Sequence, residues 1–367
     1  MKPVFLDTIL DPKNNNFALA RLLAAMGVLV SHALLLQSGD ASREILAGQT
    51  FYNLGEHAVN VFFVLSGIMV SASLARSPSL TDFAVARVLR IFPALIACTF
   101  VIAFVIGPLV TVLPIDAYVS KSLLRYLLQT VSVTSGAADL PGVFVNNPFP
   151  SVIDAPIWTL KYEIACYVLL AMLHHGRCLE STARFTALIA VTWIAGMILL
   201  VADFTFTPAP LDHLARFWLC FSFGMVLYRL RARIPLSIVL VAAFGLAWWL
   251  ARGSALERIV SLLATGYAAI WFASLPMGPL RTLTNRMDLS YGIYIFGWPI
   301  TQTLIWLSPG LPILPLEAEA IVITVAVATL SWIAIEKPAL ARRGRIAEVL
   351  RSWRDWTAWA SSSRRPG

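Results

Sequence analysis

Arg21 and His32 lie eleven residues apart inside the first strongly apolar segment of the chain, 17–36. At roughly 100° per residue, eleven steps bring a helix to within about 20° of its starting direction. Both side chains then share one stripe, about 16 Å apart along the axis. A charge inside a membrane span costs on the order of 2.5–3.5 kcal/mol even on lenient insertion scales, so such a residue is a functional candidate by default. The structural alternative is that Arg21, one turn in, snorkels to an interface while His32 is a satisfied polar residue near the other end. An imidazole with its ordinary pKa of about 6.5 suits proton abstraction near neutral pH.

Two further constellations carry chemistry. Arg87-Val-Leu-Arg90 precedes Ile91-Phe92-Pro93 and an apolar run. Arginines three apart fall on adjacent turns of one helical face, where their planar forks can share a phosphate. Arginines at cytoplasmic span ends are also ordinary topology signals. With Arg21 they make a cationic mouth for a phosphate-bearing cytosolic ligand, with His32 deeper along the same route. In Trp158-Thr-Leu-Lys161-Tyr162-Glu163 a carboxylate stands in an apolar segment. It must be paired, hydrogen-bonded or protonated, and could orient His32 or accept a proton itself. Lys161 is no ready partner, since residues two apart on a helix do not face each other.

The elements that hold these residues follow from composition. Of 367 residues, 58% are hydrophobic and 13% charged, with a mean hydropathy of +0.76, whereas soluble domains carry about 25% charge. The expected fold is all-α, a polytopic transmembrane helix bundle of about ten spans, near 17–38, 57–75, 91–113, 152–173, 185–203, 211–228, 234–251, 258–276, 289–308 and 317–335. With both termini cytoplasmic, twenty basic residues fall inside and five outside, a positive-inside bias. The net charge of +8 then reads as topology and attraction to membrane lipids, with no sign of a nucleic-acid partner. The division is a cytoplasmic N-terminus at 1–16, a transmembrane domain at 17–336 and a basic tail at 337–367.

No cleaved signal peptide, internal repeat or second soluble domain is evident. Cys98, Cys166, Cys178 and Cys220 lack metal or redox spacing, and His174 and His175 beside Arg177 lack a third ligand, so neither disulfide nor metal is expected. The connection from Pro114 to Ser151, with an apolar piece at 123–133, is long enough to be a functional lid. In the tail Ile346, Val349, Leu350, Trp353 and Trp356 recur at helical spacing among Arg345, Arg351 and Arg354, as in an interfacial helix or a disordered tail.

Six strings in order, Arg21-x10-His32, Ala58-Val-Asn-Val-Phe-Phe-Val-Leu-Ser-Gly67, Arg87-x-x-Arg90, Trp158-Thr-Leu-x-x-Glu163, Asp288-Leu-Ser-Tyr-Gly-Ile-Tyr294 and Trp332-x-x-Ile-Glu-Lys-Pro338, resemble the family 3 membrane acyltransferases. The resemblance runs from about Phe17 to Leu340. It implies transfer of an acyl group, most often acetyl from acetyl-CoA, to a hydroxyl of a cell-envelope or exported carbohydrate, in a bacterial inner membrane. It implies that His32 is catalytic and that Arg21, Arg87 and Arg90 help hold the acyl-CoA; Glu163 is the carboxylate expected to orient or polarise the imidazole. Asn60, Ser66, Lys161, Tyr162 and Tyr291, polar members of the same strings, are expected to contact substrate. One departure is that many members place a histidine before Trp-Pro, where this chain has Phe296-Gly297-Trp298-Pro299. The residues leave open a transporter or flippase of lipid-linked sugar, or a membrane-bound O-acyltransferase of the unrelated lipid-modifying class. The oligomeric state stays open.

Overall fold

The computed structural model describes residues 4–77, 79–134, 139–201 and 208–362, the side chains of Pro12 and of residues beyond 353 excepted. These residues are overwhelmingly helical. The main helices are α1 (Phe17–Ser38), α2 (Leu54–Ala75), α3 (Leu80–Val101, continuing to Val110), α4 (Lys121–Val131), α5 (Leu160–His175), α6 (Thr182–Val201) and α7 (Ala209–Arg229). There follow α8 (Ile238–Ala251), α9 (Glu257–Ala273), α10 (Gly278–Arg286), α11 (Ser290–Leu307), α12 (Ile313–Ser331, continuing to Ala341) and α13 (Arg343–Ser362). Two residues at each of β1 (Val4–Phe5) and β2 (Pro235–Leu236) pair antiparallel, Val4 opposite Leu236.

Six described helices are long and apolar enough to cross a membrane, or seven if α9 and α10, bent by 103°, count as one span. The expected spans near 211–228, 234–251 and 289–308 fall short by that measure. Polar groups dilute the first and third, and α8 has only 14 residues. The outer faces nevertheless carry bare apolar side chains, among them Leu109, Val191, Leu250 and Leu314, as suits contact with lipid rather than water.

Helix starts differ from hydropathy edges for a definable reason. At α2 the Asn53 side chain accepts from the Glu56 amide at 2.8 Å and Glu56 accepts from the Asn53 amide at 3.0 Å, a reciprocal cap that starts the helix at Leu54. At α3 Ser79 caps the Asp82 amide, so the helix begins eleven residues before Ile91 and contains Arg87 and Arg90 in its body.

Connections gather at two ends. At the strand end, the Asn16 amide donates to the Ala273 carbonyl at 2.8 Å and Arg281 reaches Asn16. At the loop end, Gln37 donates to the Leu311 carbonyl at 2.7 Å and the Phe51 amide to Glu257 at 3.0 Å. The described residues of the long connection there are pinned at two points: Tyr118 donates to the Ala103 carbonyl at 2.6 Å, and Asn147 to Gln302 at 2.7 Å. Between the ends the core centres on α2, whose Val64, Leu65 and Ile68 are fully buried, with Phe63 stacked on Phe217 at 4.2 Å. Gly67 and Gly224 let α2 and α7 approach closely: a Cβ on Gly67 would stand 2.0 Å from the Phe221 carbonyl oxygen.

Candidate active site

Arg21, one turn into α1, donates to Asp288 Oδ2 at 2.8 Å, and Arg90 donates to the same oxygen at 2.8 Å. Arg90 also reaches Glu336 Oε2 at 3.3 Å. Asp288 precedes α11 and is fixed by Ser290, whose hydroxyl donates to Oδ1 at 2.6 Å. Burial alone would push the Asp288 carboxyl up, but Arg21 and Arg90 overcome it and hold the group well below the usual carboxylate range. Glu336 sits in a widened turn at Trp332–Glu336, which carries its side chain inward to Arg90 and Ser331.

Arg21, Arg90, Asp288 and Ser290 form one wall of a cavity of about 290 Å³, near the lower size of small-molecule sites. It is bounded by α1, α2, α3, α5 and α11, and Leu340 and Arg343 from the end of the chain also line it. Arg87 lines it without a carboxylate partner among the described residues; its guanidinium lies 5.7 Å from the centre of the Tyr167 ring. Glu163 also lines it, accepting the Tyr167 hydroxyl. Ser66 and Tyr291 belong to the same wall, Tyr291 donating to the Ile91 carbonyl at 2.9 Å beneath Arg90.

His32 lies farther along α1, toward the loop end. Its Nδ1 is 3.2 Å from Glu44 Oε1. Ser31 shares that oxygen at 3.2 Å, and Asn53 donates to the other, Oε2, at 2.6 Å. Glu44 is therefore a buried carboxylate with both oxygens engaged. An Nδ1–H donated to Glu44 fixes the tautomer and leaves the Nε2 lone pair for chemistry. The ring edge packs on Trp298 at 5.0 Å, whose indole donates to the Val152 carbonyl at 3.0 Å.

His32 borders a small pocket with Leu29, Pro156, Tyr294, Trp298 and Thr301. Tyr294 is the residue common to this pocket and the larger cavity among the described residues. Its hydroxyl is tied to Thr159 at 2.7 Å and to the Pro156 carbonyl at 3.0 Å. Tyr294 thus touches both the arginine-lined cavity and the small pocket at His32, which has room for about one water molecule.

The structure brings Arg21, Arg87, Arg90, Glu163, Ser66 and Tyr291 together, and places His32 next door. The carboxylate on His32 is Glu44, however, and not Glu163. Asn60 is fully buried and its Oδ1 accepts from Arg216 at 2.7 Å, in a network that continues to Glu56 at 3.0 Å. Lys161 and Tyr162 stand outside the cavity, with the ammonium 5.1 Å from the tyrosine ring centre and Tyr162 packed among Trp158, His213 and Phe217. At the departure noted in the sequence, a Cβ on Gly297 would come 2.9 Å from Leu29, so small size there lets α11 close on α1 beside His32. The partners unnoticed in sequence are Glu44, Tyr167, Asp288, Glu336 and Tyr294. Three of these lie inside the recognised strings, while Glu44 sits in an irregular loop with no periodicity to flag it.

Residues 14–336 match the acyltransferase domain of the family 3 acyltransferases. The chain belongs to that family. It is 29% identical over 342 residues to the O-acetyl transferase of Shigella phage Sf6, covering 90% of this chain and 97% of that protein. It is 31% identical over 369 residues to Nodulation protein 10 of Rhizobium leguminosarum bv. viciae, covering 90% of this chain and 94% of that protein. No solved structure matches. With its long apolar helices, this member of the family is an integral membrane acyltransferase.

Proposed function

We propose that the protein is an O-acetyltransferase of a bacterial inner membrane, taking acetyl from acetyl-CoA at the strand end and delivering it to a carbohydrate hydroxyl. The observation that carries this reading is the adjacency of an arginine-lined cavity to His32 across Tyr294. The phage relative's name, O-acetyl transferase, supports the acyl group and the acceptor atom; the carbohydrate rests on the family resemblance. The positive-inside bias of the basic residues supports cytoplasmic termini, an orientation in which the strand end faces the cytosol, where acyl-CoA is found.

In this scheme the phosphates of the donor lie toward Arg21, Arg87 and Arg90, and the thioester reaches up the cavity toward Tyr294. His32 Nε2 takes the proton of the acceptor hydroxyl, whose oxygen attacks the thioester carbonyl, and the CoA thiolate leaves. Glu44 stabilises the imidazolium formed on the way, as a carboxylate behind a general base does. A covalent acyl-histidine relay is the competing route. Glu163, fixed by Tyr167 in the cavity wall, is the candidate for proton acceptance on the donor side, and Ser66 and Tyr291 for contact with the acyl arm. Asn60, Lys161 and Tyr162 act in holding the loop end.

The test is transfer from radiolabelled acetyl-CoA by purified protein in lipid. His32→Ala should abolish transfer while the amount of protein in the membrane stays at the wild-type level. Retained transfer would end the assignment of His32. A wild-type protein that neither transfers nor hydrolyses acetyl-CoA would favour a transporter. In single turnover, a kinetically competent acyl-enzyme would replace direct transfer by the relay.

A further inference from the structure

The four arginines of the cavity are not equivalent. Arg21 and Arg90 share Asp288, and Arg90 also meets Glu336, so carboxylates offset their charge before any ligand arrives. Arg87 and Arg343 line the same space, and neither makes an ion pair among the described residues. Arg87 is an incompletely satisfied guanidinium. Among the described residues its one hydrogen bond, to Ser73 Oγ, is stretched to 3.5 Å, and its buried Nε has no partner. Of the carboxylates near this pair, Glu163 is held by the Tyr167 hydroxyl, and Asp82 is taken by Arg351 and Ser79.

Arg343 is the first residue of α13, half-buried, and lines the cavity. It lies beyond the residues 14–336 matched to the family, in the segment that reads as a tail in sequence. The structure makes that segment part of the site. Helix α13 packs along α3, and the Arg351–Asp82 ion pair ties the two helices together. The same α3 carries Arg87 five residues beyond Asp82, and Arg87 and Arg343 line the same cavity.

We infer that Arg343 and Arg87 together form the phosphate-binding pair of the cavity, with Arg21 and Arg90 serving as its ion-paired wall. The ligand chemistry is a diphosphate, matched by two planar guanidinium forks that make no ion pair among the described residues, the nearby Asp82 being engaged by Arg351 and Ser79. This assignment rests on the acyl-CoA reading, and names the residues that would take the phosphates of that donor.

The experiment compares wild type, Arg343→Ala, Arg343→Lys and Arg87→Ala in lipid nanodiscs. Two donors are used: acetyl-CoA, and acetyl-pantetheine, which presents the same thioester without phosphates. Binding of inorganic diphosphate is measured separately by calorimetry. Arg343→Ala should raise KM for acetyl-CoA roughly ten- to hundredfold and weaken diphosphate binding by a similar factor. Turnover from acetyl-pantetheine should change far less, and Arg343→Lys should recover part of the loss. An unchanged KM for acetyl-CoA and unchanged diphosphate binding in Arg343→Ala would overturn the pair and leave the donor reading intact. Equal losses with both donors would also overturn it, marking Arg343 as structural. If wild type ignores acetyl-CoA but binds diphosphate in an Arg343-dependent way, the donor reading fails and the anion pair stands.

Discussion

Replacing Glu44 by glutamine isolates what the carboxylate behind His32 contributes. The substitution keeps the shape and removes the charge. It also removes a hydrogen-bond match that no rotation of the amide restores. Glu44 Oε1 faces Ser31 and His32 Nδ1, each at 3.2 Å, and Oε2 faces the Asn53 amide nitrogen at 2.6 Å. Both sides of the carboxylate therefore meet donors. A glutamine must turn its own NH2 toward one of them, giving either a donor–donor contact with Asn53 or the wrong partner for Nδ1–H. A hydrogen bond to a charged group contributes about 1.5–3 kcal/mol. Charge on the imidazole develops in the transition state, so the loss falls on that state, and each ~1.4 kcal/mol is tenfold in rate. Glu44→Gln should lower kcat by roughly ten- to hundredfold. The KM for the acyl donor should stay within about twofold, as for an interaction made only in the transition state. Neither Glu44 nor His32 lines the donor cavity. Steady-state kinetics over donor concentration, on protein normalised by in-gel quantity, reads both constants. A Glu44→Gln enzyme with wild-type kcat, beside an inactive His32→Ala, would refute the positioning role of Glu44. A rise in KM with unchanged kcat would refute the separation of the two compartments.

Asp288→Asn leaves Arg21 and Arg90 without their common partner, and breaking such a pair costs about 3–5 kcal/mol when buried. With 21% of the Asp288 side chain accessible, a loss near the lower end is expected in thermal melts of detergent-solubilised protein. Because the folded-state pKa of Asp288 is depressed, its stabilisation is complete above the unfolded value of about 4 and is lost as pH falls through the folded value. The wild-type melting temperature should lose this contribution only below about pH 4, while Asp288→Asn should lack that component of the acid response. Gly67→Ala places a methyl 2.0 Å from the Phe221 carbonyl oxygen, a backbone atom that cannot swing away. Overpacking typically costs about 1–3 kcal/mol, and here the melting temperature should fall by at least that equivalent. A wild-type melt for Gly67→Ala would show that α2 and α7 are not held this closely.

Much of this site is legible in sequence wherever one helix carries the information. The bounds of α1 coincide with its apolar run, and the eleven-residue spacing correctly places Arg21 and His32 on one element at two depths. The reading fails where hydropathy stands in for helix geometry. Asp82, Arg87 and Arg90 interrupt the apolar pattern, so the third span reads as starting at 91, yet the Ser79 cap starts the helix at Leu80. Arg87 and Arg90 consequently occupy the body of a helix, where an arginine requires partners from other helices. Those partners are remote. Asp288 is 198 residues from Arg90, Glu336 is 246, and no periodicity links segments so far apart. Glu44 is hidden differently: it approaches His32 through a loop in which Leu46 adopts a positive φ of 69°, a conformation that sequence spacing does not encode.

The division between scaffold and chemistry follows from which polar groups find partners inside the bundle. An apolar chain can bury a charge only if something nearby satisfies it, so most of its intramembrane cations are explained by their carboxylates. Arg216 has Glu56, Arg258 has Asp212, and Arg21 and Arg90 have Asp288. Such groups hold helices together whether or not a substrate is present. Arg87, with its unpartnered Nε, lines the cavity without an ion pair among the described residues, and His32 has one ring nitrogen committed to Glu44 and the other without a partner among them. Their unmet demands sit at two levels of one bundle, with Tyr294 between them. An anion satisfies the first and a hydroxyl proton the second, the two ends of a single acyl transfer. Spacing along α1 locates the depths; only the pairing of the remaining charges tells which of the cations are left for the ligand.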